Sequence, residues 1–124
     1  MGPVGGDSGP GRGRLAEDRA LDLLKGEGLK LVERNYRCRF GEIDLIMQDG
    51  QTLVFVEVRY RSSGRYGSAQ ESVTRQKQSR LLTTAACYLK GHRYNGPTRF
   101  DVAALSPGAN GLAMDWIKGA FQAG

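Results

Sequence analysis

The chain alternates between hydrophobic spacing typical of helices and spacing typical of strands. Residues 14–27, RLAEDRALDLLKGE, and residues 72–91, SVTRQKQSRLLTTAACYLKG, repeat their apolar side chains at helical intervals and end near glycines. The segments LKLVERNY, GEIDLIMQDGQTLVFVEVRYR, TRFDVAAL and GLAMDWIKGAF have strand character, and the second of them forms a hairpin of two strands. The predicted order is therefore α-β-β-β-α-β-β, which favours a mixed sheet flanked by helices.

The hairpin carries charged residues at alternating positions. Asp49-Gly50 predicts a two-residue type I′ turn, which places Asp44 opposite Phe55. A four-residue loop would instead place Asp44 opposite Glu57, whereas an odd-length loop without a bulge would separate them. Side chains two residues apart, and side chains that face each other across a ladder, share one side of a sheet. We therefore expect one face to carry Glu42, Asp44, Glu57 and Arg59.

The other face of the hairpin is expected to form the core. It carries only apolar side chains: Ile43, Leu45, Met47, Val54, Val56 and Val58. On the acidic face, the positions farther from the acids are apolar: Ile46, Leu53 and Phe55. A helix is therefore expected to cover that face as well. Carboxylates in such a covered position repel one another unless a cation lies among them.

Two interpretations of the acids follow. Carboxylates anchored on strands suit Mg²⁺, which keeps several waters for a phosphate substrate, and the implied chemistry is phosphodiester hydrolysis. Alternatively, Arg59 simply neutralises Glu57 and Glu42 in a cross-strand network. Glu17 adds a further acid at the edge of the apolar face of the first helix, where a charge needs a partner unless its side chain reaches solvent at the helix rim.

Composition narrows the class of protein. A chain of 124 residues predicts one domain, which we assign to residues 14–124, after a flexible Gly/Pro-rich tail at residues 1–13. No apolar run approaches the ~20 residues that span a bilayer, and the two cysteines lack metal-binding spacing. A soluble, cytoplasmic protein without a membrane partner is expected.

The charge indicates a polyanionic partner. The net charge is +5 and the pI about 9.5. Basic residues cluster around the hairpin beside aromatic rings, and those expected to contact nucleic acid are Arg37, Arg39, Arg61, Arg65, Arg75 and Lys77. Gln76 and Lys77 open the second helix; we interpret them as solvated first-turn residues, with the alternative that one of them points into the acidic cleft.

The spacing of Asp44 and Glu57-Val58-Arg59 resembles the D…(E/D)-x-K core of restriction-endonuclease-like nucleases. From about residue 14 to 121, with GEIDLI, VFVEVRYR, SVTRQKQ and RFDV, the sequence closely resembles the YraN family of small bacterial proteins. The resemblance implies a restriction-endonuclease-like, three-layer α-β-α fold of the α/β class, a mixed sheet with α-β-β-β-α-β core order, and similarity in shape to archaeal Holliday-junction resolvases.

The resemblance also implies roles for individual residues. Asp44 and Glu57 match the metal-binding acids, with Mg²⁺ or Mn²⁺ as the cofactor; Glu17 matches the acid on the first helix of resolvase-like members; and Arg59 occupies the catalytic lysine position. Arginine stays protonated, so it cannot act as a base, although it could stabilise a charged transition state.

Three hypotheses follow. The first is a metal-dependent endonuclease for structured or branched DNA in repair or recombination, which could act as a homodimer. The second is a non-catalytic nucleic-acid-binding module on the same fold, and the third is an adaptor that docks onto a repair protein.

Overall fold

The computed structural model describes residues 13–61 and 73–122. Seven elements follow in chain order: α1 (Arg14–Gly26), β1 (Lys30–Cys38), β2 (Gly41–Asp49), β3 (Thr52–Tyr60), α2 (Arg75–Gly91), β4 (Thr98–Gly108) and β5 (Gly111–Phe121). This is the predicted order. The predicted tail, apart from Gly13, lies outside the described residues, as does Arg65.

The strands form one mixed sheet in the order β1-β2-β3-β4-β5. Every neighbouring pair is antiparallel except β3 and β4, which are parallel. The chain can return to start a parallel strand because α2 carries it back along the sheet between β3 and β4. Within the described ranges, neither helix is long and apolar enough to cross a bilayer.

The two helices cover opposite faces of the sheet. Ala20 and Leu24 of α1 belong to one core cluster with Leu45 and Val56, whereas Leu81 of α2 belongs to the other. Burying one such leucine or valine side chain contributes about 1.5–3 kcal/mol. The result is the predicted three-layer α-β-α architecture of the α/β class, compatible with a restriction-endonuclease-like fold.

A fully buried carboxylate joins β4 to β5. Asp101 accepts hydrogen bonds from Arg99 Nε at 2.9 Å and Nη2 at 3.0 Å, and from Trp116 Nε1 and the Gly119 N–H at 3.0 Å each. The β4–β5 register shifts beside Asp101, and Gly119 has a positive φ of 59°. Asp101 thereby holds this irregular part of the sheet together.

The register of the β2–β3 hairpin differs from the prediction by two residues. Asp49 pairs with Thr52 and Leu45 with Val56, so the two turn residues are Gly50 and Gln51. Only the first of them has a positive φ, 61° at Gly50, which is the pattern of a type II′ turn. The prediction of a type I′ turn at Asp49-Gly50 was therefore wrong. A type II′ turn needs a positive φ only at its first central position, which Gly50 occupies.

The alternation of side chains along β2 also breaks near Asp44. Ile43 and Ile46 both belong to the cluster under α2, although three positions separate them, while Leu45 and Met47 face α1. Ile43 was therefore assigned to the wrong face. An extra residue that interrupts the alternation bends a strand and redirects a side chain.

Candidate active site

The β2–β3 ladder opens at its end, and Asp44 lies in this fork. The paired register ends at Leu45 and Val56. Beyond it, Asp44 Oδ2 accepts the backbone N–H of Val58 at 2.8 Å. The carboxylate thus takes a donor that a regular ladder would give to a backbone carbonyl, and it lies between the strands rather than on the face that carries Glu57.

Asp44 has an electrostatically unfavourable environment. Burial is the main reason that its pKa is raised to about 8, and the charge of Glu57 raises the pKa further. Glu17 and Glu42 act in the same direction, whereas the hydrogen bond from Val58 lowers the pKa. A carboxyl group held among three other acids favours a proton or a cation.

Glu57 lies under α2 and has two cationic neighbours. Its side chain is only 5% exposed, and Oε2 lies 3.5 Å from both Arg59 Nη1 and Lys77 Nζ. Lys77 reaches the acid because Thr74 caps α2, accepting the Lys77 N–H at 3.1 Å and so placing this residue in the first turn. The Lys77 ammonium thus lies beside Glu57, in line with the alternative interpretation, while its side chain stays 35% exposed.

Glu17 is held by residues of β1. Its side chain is 15% exposed, and its two oxygens accept from Arg34 Nε at 2.8 Å and Asn35 Nδ2 at 3.0 Å. Arg34 also pairs with Asp18 through Nη2. Glu17 therefore does not extend into solvent at the helix rim but is fixed toward the fork.

Asn35 is a site residue that the sequence did not single out. It has a left-handed φ of 55°, uncommon for a residue other than glycine, and its neighbours Arg34 and Tyr36 pair with Leu45 and Ile43. Its amide also lies 3.4 Å from Glu42 Oε2, so it bridges two acids of the fork. The only sequence signal was an asparagine inside a strand, since asparagine tolerates this conformation better than most residues.

The acids on the α1 side line a pocket of about 490 Å³. Glu17, Asn35, Glu42 and Asp44 contribute to its wall, and Arg14 and Arg37 also line it. Arg37 is 74% exposed and lies 3.6 Å from Glu42 through Nε. The pocket is therefore acidic at the fork, with basic side chains close by.

The donor set suits a hard divalent cation held by few protein ligands. Within residues 13–61 and 73–122, no group of three or more His, Cys, Asp or Glu side chains has metal-binding proximity. Mg²⁺ usually takes only one or two protein carboxylates, with water and substrate oxygens completing the octahedron. Asp44 and Glu57 could form such a pair, because the charge of Glu57 is, after burial, the largest cause that raises the pKa of Asp44.

Three other predicted basic residues lie on elements next to the hairpin. Arg39 is at the β1–β2 turn, with its guanidinium carbon 4.9 Å from the centre of the Phe40 ring. Arg61 follows β3, its backbone N–H donating to Leu105 O at 2.8 Å, and Arg75 is exposed at the start of α2. Of the predicted basic residues within 13–61 and 73–122, Arg37 and Lys77 form ion pairs with Glu42 and Glu57.

Comparison with known proteins identifies the family of this chain. The model of the family described as "Uncharacterised protein family UPF0102" matches residues 16–105, a range that includes Glu17, Asp44, Glu57 and Lys77. The chain belongs to UPF0102, the YraN family. The expected family membership is therefore confirmed.

Individual UPF0102 proteins match over almost their whole length. The protein of Methylococcus capsulatus is 54% identical over 120 residues, which cover 97% of this chain and 98% of that protein. The protein of Nitrosomonas europaea is 51% identical over 111 residues, covering 90% and 93%. The protein of Nitrosococcus oceani is 46% identical over 113 residues, covering 90% and 91%. The similarity therefore includes every element that contributes to the fork.

Proposed function

We propose that this UPF0102 protein is a metal-dependent endonuclease that hydrolyses phosphodiester bonds in structured or branched DNA during repair or recombination. The supporting observation is the half-buried Asp44 carboxylate, whose pKa is raised to about 8 by burial and by Glu57, Glu17 and Glu42. Among the described side chains, no basic group forms an ion pair with Asp44. Repulsion among acids costs the fold stability, and a bound cation would relieve it.

In this proposal Asp44 and Glu57 hold Mg²⁺ or Mn²⁺. When bound, such an ion polarises a phosphoryl oxygen and lowers the pKa of an attacking water. Asp44 already has one oxygen fixed by the Val58 N–H, which limits the rotation of its carboxylate. Arg34 and Asn35 hold the Glu17 side chain toward this pair.

Lys77 and Arg59 would bind the scissile phosphate. Both cations already lie 3.5 Å from Glu57, so a phosphate at the acid pair would contact them. Lys77 supplies the ammonium that the endonuclease pattern expects at position 59, and it does so from another element. It also lies in the first turn of α2, where free backbone N–H groups favour phosphate.

The DNA flanking the scissile bond would contact the basic residues around the fork. We assign this role to Arg37, Arg39, Arg61, Arg65, Arg75 and Lys77, of which Arg65 lies outside the described residues. Contacts of this kind bind phosphates and make affinity strongly dependent on salt.

Cleavage of labelled DNA tests the proposal. Purified protein should cut branched or flapped DNA with Mg²⁺ or Mn²⁺, and EDTA should stop the reaction. Asp44→Ala and Glu57→Ala should each lower the rate by at least about a hundredfold. Asp22→Ala is a matched control, because Asp22 is an exposed acid on α1. Cleavage that survives in both site variants would exclude this site.

Arg59 favours a second candidate, a non-catalytic nucleic-acid-binding module. If the module is correct, no substrate is cut, Arg59→Lys gains no cleavage, and salt-sensitive binding falls with Arg61→Ala and Arg65→Ala. If the protein is an endonuclease, Lys77→Met abolishes cleavage, whereas the affinity for DNA decreases only by the contribution of one cation. The Lys77 variant therefore separates catalysis from binding.

A further inference from the structure

A second groove lies between the β1–β2 turn and the C-terminal half of α2, and we name it the Phe40 groove. Its volume is about 950 Å³. The side chains that matter here are Arg39, Phe40, Ala86, Cys87, Lys90 and Arg93. It thus combines small or apolar side chains with long basic ones, a combination that suits a ligand with both a planar apolar part and negative charge.

The charge of the groove has one sign. Arg39, Lys90 and Arg93 line it, and no carboxylate within 13–61 and 73–122 does. In the part of the chain that the structure describes, none of these three cations forms an ion pair. Three unpaired cations around one concave surface attract a polyanion rather than a neutral or basic partner.

Phe40 exposes an aromatic ring at this surface. Its relative exposure is 43%, although it belongs to the residue types that are usually buried. The Arg39 guanidinium lies 4.9 Å from the ring centre, a distance typical of a cation–π contact. The guanidinium thus covers one face of the ring, and the ring remains partly exposed.

The groove and the fork are close to each other along the chain. Arg37 of β1 pairs in register with Glu42, and the next residue, Cys38, already lines the groove. A Cβ on Gly41 would lie only 3.0 Å from Thr84 Oγ1, so α2 rests closely on this end of the hairpin. Phe40 precedes Asp44 by four residues, about 14 Å along a strand, which is roughly four stacked nucleotides.

We propose that the Phe40 groove binds an unpaired DNA strand next to the fork, with one base stacked on Phe40 and the phosphates on Arg39, Lys90 and Arg93. This inference rests on the proposed function, because it names the form of DNA that the same site receives. The substrate class is then a duplex that carries a single-stranded segment.

The chemistry of the groove favours an unpaired strand over two alternatives. Bases in a duplex are stacked on their neighbours and cannot lie on a protein ring, whereas unpaired bases can. An acidic peptide would satisfy the cations, but only its aromatic residues offer a planar group to Phe40, whereas every nucleotide carries both a charge and a planar base. Charge and ring together therefore match single-stranded DNA.

Binding measured in EDTA, so that no cleavage occurs, tests the groove. The probes are a fluorescent single strand of about 20 nucleotides, the matching blunt duplex, and an RNA strand of the same sequence. Phe40→Ala should weaken single-strand binding about tenfold and duplex binding less than twofold. Phe40→Trp should retain single-strand affinity. Val32→Ala is the matched control, since Val32 is an apolar residue of β1 with 45% exposure.

Several results would overturn the inference. Phe40→Ala could weaken the binding of both DNA forms equally or of neither, or Val32→Ala could weaken single-strand binding as much as Phe40→Ala does. The RNA strand could bind more tightly than the DNA strand, or polyglutamate of equal charge could displace the single strand. The cleavage assay distinguishes the two proposals. Cleavage that needs Asp44 but not Phe40 would support the endonuclease and contradict the role of the groove. Binding that depends on Phe40, without any cleavage, would support the role of the groove and contradict the endonuclease.

Discussion

Two aspartates of this sheet, one fully buried and one half-buried, have opposite environments. Asp101 accepts four hydrogen bonds, two of them from Arg99, and is the fully buried one. Asp44 accepts one from the Val58 N–H, and its pKa is raised to about 8, first by desolvation and then by three nearby acids. Both are carboxylates on central strands, so their position in the fold does not explain the difference.

The contrast separates a structural charge from a functional one. A buried carboxylate is tolerated when a cation and donors complete its coordination, as at Asp101. Repulsion among acids costs stability unless something outside the polypeptide is to complete the site, as we propose for Asp44. Substituting each aspartate should therefore change stability in opposite directions.

The largest effect is expected at Asp101. Asp101→Ala removes one partner of a buried ion pair and leaves the Arg99 guanidinium, the Trp116 N–H and the Gly119 N–H without their acceptor. The free energy of unfolding should fall by about 3–5 kcal/mol, as measured by urea denaturation at pH 7. A loss below about 1 kcal/mol would show that the network is not structural.

A pH-dependent effect of opposite sign is expected at Asp44. Its pKa is about 8 in the folded protein and 3.8 for the ordinary group, so the folded state holds the proton more tightly. This contribution to stability is complete below pH 3.8 and is lost as the pH rises through about 8. Asparagine does not titrate. As the pH rises from 3.8 to about 8, the free energy of unfolding of Asp44→Asn should therefore increase relative to that of the wild type by at most about 1.4 kcal/mol per pH unit.

Urea denaturation without divalent cations, from pH 5 to pH 9, measures this gain. Asp22→Asn serves as the exposed control on α1 and should follow the wild type. If Asp44→Asn becomes less stable than the wild type as the pH rises, Asp44 is a structural acid like Asp101.

A smaller effect is expected at Arg34, which holds Glu17 at the fork. Its side chain is 29% exposed, so removing its ion pairs with Arg34→Met should cost only about 1 kcal/mol. The variant leaves Glu17 with the Asn35 amide alone and should weaken Mn²⁺ binding as well. Lys25 is an exposed cation on α1, and Lys25→Met should change neither the free energy of unfolding nor Mn²⁺ binding.

Much of this structure was predictable because it depends on local patterns. Helical and strand spacing gave the order of elements, and the motif spacing identified Asp44 and Glu57. The turn type was not predictable, because Asp49-Gly50 is compatible with glycine at either central position. The break at Asp44 depends on a side chain accepting the Val58 N–H, which alternation cannot reveal.

Contacts between distant elements account for the other differences. Lys77 reaches Glu57 because α2 crosses the sheet at that point, and Asn35 bridges two acids from the edge strand. Neither contact has a periodic signal in the sequence. The acid pair was therefore predicted from the sequence, whereas the residues that position and neutralise the acids emerged only with the fold.

The most direct test of the central claim is the position of Mn²⁺ in crystals grown with this ion, located by anomalous diffraction. The account predicts one peak at the fork, with an oxygen of Asp44 and an oxygen of Glu57 in its first coordination shell. The peak should be absent from crystals of Asp44→Asn. No peak at the fork in the wild type, or a peak that persists in the variant, would contradict the account.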